Sequence, residues 1–239
     1  MRAVFVLLLC AGPASASVSN LQSDWSEISN PFGPWALREG TNALPHVDAW
    51  QRTLGGWTAH QPGWARSEDS NTRLPFFFRS NGTETFAHDW AEGAIVVHST
   101  DAGNGVGSGH ANLAFTVQNT GTLTATGGLW IGRDIGRTVR FDVLLNGVAL
   151  TGGVLASGDA FSSADPFGLD EGTGGPGALD GLGVTAGDVF ELRFTTLSSA
   201  GDFVVIDLTI DNPLPAPAGV GLVVLGLLAP RRRRVRQIR

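Results

Sequence analysis

The segment VRFDVLLNGVAL, residues 139–150, decides the fold class of this 239-residue chain. Apolar Phe141 and Val143 stand at every second position among charged residues, which is the period of a β-strand with one buried face. Asn146 and Gly147 then interrupt the run, and both residue types tolerate the positive φ angles of a two-residue hairpin turn. The segment therefore predicts two antiparallel strands joined by a tight turn.

The same alternation recurs in three further segments, residues 113–117, 190–194 and 206–210. Turn-forming residues separate these segments, and no window between residues 17 and 212 sustains the 3.6-residue apolar period of a helix. Several short strands with regular turns are typical of a sandwich or barrel, and the alternation favours antiparallel sheets. We therefore predict an all-β domain over residues 17–212, an antiparallel β-sandwich that is jelly-roll-like.

Two stretches of this domain lack a clear strand pattern. Residues 21–73 hold five of the seven tryptophans together with much proline and glycine. We expect a Trp-rich, irregular N-terminal region that wraps the edge of the sandwich or supplies short outer strands. Residues 161–182 form a Gly- and Asp-rich loop that is too long for a simple hairpin, and loops of that length are usually functional or disordered.

Charge and cysteine usage exclude several kinds of partner and site. All 16 basic residues are arginine, and seven of them lie in the two end segments, so the middle of the chain has nine arginines against 22 acids, a balance of −13. An acidic domain repels phosphate backbones, and we expect no nucleic-acid partner. The only cysteine is Cys10, so the predicted domain has no disulfide and no thiolate metal site.

Residues 1–16 read as a secretory signal peptide. Arg2 supplies the positive start, residues 3–11 are apolar, and Ala14 and Ala16 form the small-x-small site that a signal peptidase cleaves. A buried N-terminal helix is the alternative. We expect an exported protein.

Residues 213–239 combine a short apolar stretch with a cluster of positive charge. The twelve uncharged residues 218–229 would span about 18 Å as a helix, which is short of the roughly 30 Å hydrocarbon core of a bilayer. This favours transient tethering to the inner membrane with the arginines on the cytoplasmic side, and an ordinary C-terminal anchor is the alternative. The residues that define this predicted sorting signal are Pro215, Ala216, Pro217, Arg231, Arg232, Arg233 and Arg234.

The order of a Pro-x-Pro motif, a short apolar helix and an arginine cluster resembles the PEP-CTERM sorting signal of exported Gram-negative bacterial proteins. The motif of that family is Pro-Glu-Pro, and this chain has Ala216 in place of the acid. The resemblance implies processing by an exosortase-like enzyme. It also implies delivery to the cell surface or extracellular matrix after transient tethering to the inner membrane.

The predicted domain is also similar to a β-sandwich found in exported PEP-CTERM proteins. The matching elements are residues 90–98 (WAEGAIVVH), the Asn146-Gly147 turn and an Ala-Gly-Asp at residues 186–188 before a late strand. This resemblance implies a fold and assigns no activity.

The long loop offers candidate Ca²⁺ ligands, because hard cations take several oxygen ligands from flexible segments. The candidates are Asp165, Asp170, Glu171 and Asp180. Their spacing matches no EF-hand or repeat-type calcium motif, and solvated acids that form turns are the alternative. The sequence indicates no other metal and no other cofactor.

Tryptophans 57, 64 and 90 could form a sugar platform, since a flat aromatic ring stacks on the C–H groups of a pyranose; Trp50 belongs to the same cluster of sequence positions. Burial of Trp57, Trp64 and Trp90 in the core is the alternative. We find no catalytic motif and expect no enzyme. The leading hypothesis is a non-catalytic surface or matrix protein with weak affinity for polysaccharide. The alternatives are a secreted glycosidase or lyase that uses two acids, and a purely structural coat or biofilm component.

Overall fold

The structure is a computed structural model that describes residues 18–50, 55–68, 74–100 and 110–213. These residues form fifteen β-strands, and every pairing among them is antiparallel. The strands make two sheets that pack face to face. The prediction of an all-β antiparallel sandwich is confirmed.

Sheet 1 has nine strands, of which seven follow the order β12-β9-β15-β7-β6-β5-β4, while β1 pairs with β15 and β13 with β9. Its strands are β1 Val18–Asn20, β4 His46–Val47, β5 Gly63–Ala65, β6 Phe76–Arg79, β7 Ile95–His98, β9 Gly121–Ile131, β12 Phe167–Gly168, β13 Leu182–Val184 and β15 Phe203–Asp211.

Sheet 2 has six strands in the order β11-β10-β14-β8-β2-β3. These strands are β2 Trp35–Glu39, β3 Asn42–Ala43, β8 Ala111–Thr116, β10 Thr138–Leu145, β11 Val148–Ala156 and β14 Val189–Thr196.

Consecutive strands change sheet eight times, between β1 and β2, β3 and β4, β7 and β8, β8 and β9, β9 and β10, β11 and β12, β13 and β14, and β14 and β15. Such repeated crossing is typical of jelly-roll sandwiches. Within the described ranges, helix is confined to α1 (Leu21–Asp24) and a 3-10 turn (Leu169–Glu171). None of the helices in these ranges has the length and hydropathy of a membrane-spanning segment.

The main core lies between the sheets and follows the predicted period of two. From sheet 2, Phe141 and Val143 point inward with Phe190, Leu192 and Phe194, and from sheet 1, residues 206, 208 and 210 do the same. Their polar neighbours along each strand face the opposite side of the sheet. The three alternating segments therefore lie where the sequence predicts them.

Sheet 1 is buried on both faces at β5, β6, β7 and the adjoining ends of β9 and β15, because a second apolar cluster covers its outer side there. Phe76 and Phe78 belong to this outer cluster while Phe77 faces the main core, and Val96 and Val97 of β7 divide in the same way. Trp50 stacks on Phe76 with ring centroids 3.8 Å apart. The continuous apolar runs of β6 and β7 are explained by this double burial.

The Trp-rich N-terminal region contributes to both sheets, as one of the two sequence-based interpretations expected. It supplies the short strands β3, β4 and β5, and it also supplies β2, whose Trp35 and Leu37 are buried in the main core. Residues 161–182 are less loop-like than predicted. They wrap along β9 through β12 and β13, and Leu169 and Leu179 anchor them in the core.

The predicted hairpin turn is present. Asn146 and Gly147 have φ angles of 51° and 78°, as a two-residue turn between β10 and β11 requires. The Asn146 amide also donates to Asp188 Oδ1 at 3.0 Å and accepts from the Val189 N–H at 2.9 Å, which ties this turn to the start of β14. The predicted signal peptide with Ala14 and Ala16 and the predicted sorting signal, residues 213–239, fall outside the described residues except at residue 213.

Candidate functional site

The outer face of sheet 2 carries a row of polar side chains that crosses four neighbouring strands. In the register of the sheet, Asp142 of β10 lies opposite Arg193 of β14. Arg193 lies opposite Asn112 of β8, and Asn112 lies opposite Arg38 of β2. Adjacent strands lie about 4.8 Å apart, so the row extends over about 14 Å. We call Arg38, Asn112, Asp142 and Arg193 the polar row.

The sequence places these residues outward for a simple reason. Asp142 stands between core residues Phe141 and Val143, and Arg193 stands between Leu192 and Phe194. Because side chains alternate across a strand, a buried residue on each side forces the residue between them to the solvent side. The polar row is therefore the outward counterpart of the main core.

Two residues of the row form ion pairs within their own strands. Arg140 Nε donates to Asp142 Oδ2 at 3.1 Å, and Arg193 donates to Glu191 Oε1 through Nε at 3.0 Å and Nη2 at 2.7 Å. In both pairs the two residues are two positions apart, so they share one face of their strand. These contacts hold each guanidinium in a defined orientation and leave some of its N–H groups for another partner.

Arg38 and Asn112 have fewer polar contacts than Asp142 and Arg193. Among the described residues Arg38 forms no ion pair, and the side chain of Asn112 forms no hydrogen bond. Asn112 is only 1% exposed, and its Oδ1 is buried without a donor. A buried amide group without a partner is costly in a native structure, and it marks the centre of the row as a point of unsatisfied hydrogen bonding.

His110 stands beside the row, immediately before β8. Its Nδ1 lies 2.9 Å from the hydroxyl of Thr195. Burial lowers the pKa of His110, and the positive charges of Arg193 and Arg140 lower it further. The imidazole is thus neutral at pH 7 and serves as a hydrogen-bonding group rather than as a cation.

A shallow groove of about 310 Å³ continues the row toward the edge strand β11. Arg140 and Asp142 form one side of it, and Thr173 forms part of the other. Gly152 lies in its lining, and a Cβ at this position would approach the carbonyl oxygen of Phe141 to 2.7 Å. Glycine at this position therefore permits the close approach of β11 to the backbone of β10 beside the groove.

The charge of this face differs from that of the domain. Three of the nine arginines between the end segments lie here, Arg38, Arg140 and Arg193, and only the two acids Asp142 and Glu191 accompany them. The face is locally positive in a domain whose balance is −13. Its chemistry suits a ligand rich in hydroxyl and acidic groups, because guanidinium groups donate fixed pairs of hydrogen bonds and carboxylates accept from hydroxyls.

The structure does not assemble the predicted sugar platform. Trp64 is 3% exposed in the main core, and Trp90 is 7% exposed in the outer cluster of sheet 1. Trp57 is half-buried and packs edge-on against Trp50 and Phe86 at 5.0 Å. Since a platform needs exposed ring faces, the interpretation of Trp64 and Trp90 as sugar-stacking residues is corrected to core packing.

The four candidate Ca²⁺ ligands do not converge. Asp170 and Asp180 line one depression beside β9, and neither Asp165 nor Glu171 lines it. Asp180 Oδ1 accepts from the Thr124 hydroxyl at 3.0 Å, and Glu171 Oε2 accepts from the Gly168 N–H at 2.9 Å. Within the described part of the chain, no group of three or more His, Cys, Asp or Glu side chains is placed to hold a metal ion.

Another acidic cleft, of about 330 Å³, contains Asp89, Asp134 and Asp159. Asp89 and Asp159 hold the neighbouring loop in place. Asp89 accepts from the N–H and the hydroxyl of Ser163 at 2.7 and 2.5 Å, and Asp159 accepts from the backbone N–H groups of residues 156 and 161 at 2.9 and 3.0 Å. These contacts give the two acids a structural role.

Sequence reasoning identified neither the polar row nor His110 as a site. The alternation of charged and apolar residues on β10 and β14 predicts that Asp142 and Arg193 face outward. Only strand order and register bring Arg38 and Asn112 beside these two residues.

No protein-family model, no curated protein and no solved structure matches this chain.

Proposed function

We propose that this chain is an exported, non-catalytic β-sandwich of the cell surface or extracellular matrix that binds polysaccharide through the polar face of sheet 2. The observation that carries the proposal is the polar row, a line of hydrogen-bonding side chains about 14 Å long in which Arg38, Asp142 and Arg193 are partly exposed and Asn112 is buried. A sugar chain offers hydroxyl groups along its length, and the arginines and the acids of this face can each bind one.

The contrast between the two sheets supports this assignment. In sheet 1 the aromatic cluster that includes Trp50 and Phe76 covers the outer face at β5, β6, β7 and the adjoining ends of β9 and β15, so that part of the face belongs to the protein interior. On the outer face of sheet 2, Arg140 keeps 48% of its side chain exposed and Arg193 keeps 29%, while Asn112 of the polar row is only 1% exposed. The charged side chains of this face are therefore the groups that we propose for contact with a sugar chain.

The two ends of the chain support export. The N-terminal Arg2, the apolar run and the Ala14/Ala16 site fit a secretory signal, and the Pro-Ala-Pro motif with its arginine cluster fits a PEP-CTERM-like sorting signal. Signal peptidase and an exosortase-like enzyme are the proposed processing partners. The residues between these ends would then be the cargo delivered to the surface.

A pull-down with a panel of insoluble or immobilised polysaccharides tests the binding function. The full-length chain, kept in a mild non-ionic detergent, should be retained by at least one polysaccharide, and Arg193→Gln should reduce retention about tenfold because charge-assisted hydrogen bonds are lost. Arg79→Gln is the matched control, since Arg79 is an exposed arginine of β6 in the other sheet. If no polysaccharide retains the chain, the proposed function is wrong.

A further inference from the structure

We infer that the groove beside β11 holds one unit of the polysaccharide, and that this sugar unit is uncharged and presents two adjacent hydroxyl groups to Arg140 and Asp142. This inference rests on the proposed function and specifies the position of the ligand and its chemical class. The groove has a volume of about 310 Å³, and its lining includes Arg140, Asp142, Val154 and Thr173. Ligand sites typically have volumes of about 300–1,000 Å³, so this groove suits a single sugar unit of a longer chain.

The ion pair between Arg140 and Asp142 places unused donors beside an unused acceptor. The pair uses only Nε of the guanidinium and Oδ2 of the carboxylate, which are 3.1 Å apart. Among the described residues, Nη1 and Nη2 of Arg140 and Oδ1 of Asp142 have no hydrogen-bond partner. Arg140 keeps 48% of its side chain exposed and Asp142 keeps 27%, so a ligand in the groove can reach both groups.

Two adjacent hydroxyl groups of a sugar match this arrangement. One hydroxyl oxygen accepts from an Nη group of Arg140, and the neighbouring hydroxyl donates to Oδ1 of Asp142. Hydrogen bonds to charged groups are stronger than those between neutral groups, and the ion pair holds the donor and the acceptor in a fixed relative position. An isolated hydroxyl group could use only one side of the pair.

The charges in the groove favour an uncharged sugar unit. Among the described residues that line it, only Arg140 and Asp142 are charged, and they neutralise each other. Arg38 and Arg193, the other arginines of this face, do not line the groove. A sugar carboxylate beside Arg140 would compete with Asp142 for the guanidinium, and the two like charges would repel each other.

The remaining walls of the groove supply one polar and one apolar contact. Thr173 is exposed, its N–H donates to the Gly152 carbonyl at 2.9 Å, and its hydroxyl has no hydrogen-bond partner among the described residues. Val154 lies opposite Arg140 in the register of β10 and β11 and is 50% exposed. Its methyl groups can cover the apolar C–H groups of a pyranose. One sugar unit can therefore contact charged, neutral polar and apolar groups at the same time.

The test measures binding of soluble polysaccharides to the full-length chain, in a mild non-ionic detergent, by native affinity electrophoresis. Dextran and galactomannan are uncharged and have adjacent hydroxyl groups. The same two polymers lose these diols on periodate cleavage and borohydride reduction, and polygalacturonate keeps adjacent hydroxyl groups but adds a carboxylate to each unit. We expect dextran or galactomannan to bind about tenfold more tightly than its oxidised form and than polygalacturonate, because each loses a contact to the ion pair.

Variants of the lining residues locate the bound unit. Arg140→Gln and Asp142→Asn should each weaken binding about tenfold, because a charge-assisted hydrogen bond is lost. Thr173→Val keeps the shape of the side chain and should weaken binding about threefold, the effect of losing a neutral hydrogen bond. Arg79→Gln and Thr126→Val are the matched controls, since both residues are exposed on sheet 1, and they should leave the affinity unchanged.

The outcomes separate this inference from the proposed function. If polygalacturonate or the oxidised polymers bind as tightly as the untreated ones, or if only another polysaccharide of the earlier panel is retained, polysaccharide binding stands and the assigned chemical class is wrong. If Arg193→Gln weakens binding while Arg140→Gln and Thr173→Val do not, the face is correct and the groove is wrong. If no probe and no polysaccharide of the panel binds, both proposals fail. Thr173→Val keeps the test decisive if Asp142→Asn does not fold, since Thr173 is exposed.

Discussion

Asp202 carries a buried carboxyl group. Because of this burial, we expect the protein to become less stable as the pH rises. Asp202 precedes β15 and is 0% exposed. Its Oδ1 accepts from the Phe203 N–H at 2.8 Å, and its Oδ2 has no hydrogen-bond partner in the part of the chain that the structure describes. Burial raises the pKa of Asp202 from 3.8 to about 6, against the opposing effects of the Phe203 N–H and of Arg137.

The direction of the pH effect follows from proton linkage. Between about pH 4 and pH 6 the folded protein holds the Asp202 proton more tightly than the unfolded chain does, so the free energy of unfolding falls as the pH rises through this range. The difference of about two pKa units, at 1.36 kcal/mol per unit, corresponds to about 3 kcal/mol. This contribution is present below pH 4 and is lost above pH 6 to 7.

Asp202→Asn removes the charge and keeps an oxygen that accepts from the Phe203 N–H. At pH 8 we expect the variant to be more stable than the wild type by about 1–2 kcal/mol, less than the full shift because an amide at the Oδ2 position would also lack a partner. At pH 4 this advantage should disappear. Urea unfolding of the full-length chain, followed by tryptophan fluorescence at pH 4, 6 and 8, measures both quantities.

The matched control is Asp207→Asn, since Asp207 lies on the same strand and is exposed. It should leave the pH dependence of stability as in the wild type. The reasoning is refuted if Asp202→Asn is no more stable than the wild type at pH 8, or if the two proteins differ by the same amount at pH 4 and pH 8.

Two further predictions concern the core and the tail. Trp64→Ala should lower the free energy of unfolding by about 3–5 kcal/mol, because a large buried ring is removed, and polysaccharide retention per folded molecule should be unchanged. Loss of retention without loss of stability would restore the sugar-stacking interpretation, and calorimetry with the pull-down measures both. Replacing Arg231, Arg232, Arg233 and Arg234 with serine should prevent delivery to the surface; cell fractionation showing normal delivery would contradict the proposed sorting signal.

The sequence predicts the sandwich because one face of each long strand is buried. This burial produces the period of two in residues 113–117, 141–145, 190–194 and 206–210. The structure confirms that the apolar residues of these segments lie in the main core. The Asn146-Gly147 turn is equally local, since its positive φ angles depend on those two residues alone. Such features need no knowledge of distant parts of the chain.

Sequence alternation does not tell which residues of sheet 1 face the main core and which face the outer cluster. Strands β6 and β7 are apolar at consecutive positions, so the sequence does not say that Phe77 meets the other sheet while Phe76 and Phe78 meet Trp50 and Trp90. A buried tryptophan and a sugar-stacking tryptophan have the same sequence signature. Only the packing of the N-terminal region over sheet 1 distinguishes them.

By itself, the sequence determined the all-β class, the alternating core strands and the hairpin turn, because each depends on residues close together in the chain. Only the tertiary structure decided that Arg38, Asn112, Asp142 and Arg193 form one row, because strand order and register place residues that are 51 to 81 positions apart in the chain opposite each other. A shift of one residue in any of these pairings would turn its side chains to the other face of the sheet. The candidate site is therefore a property of the assembled sheet.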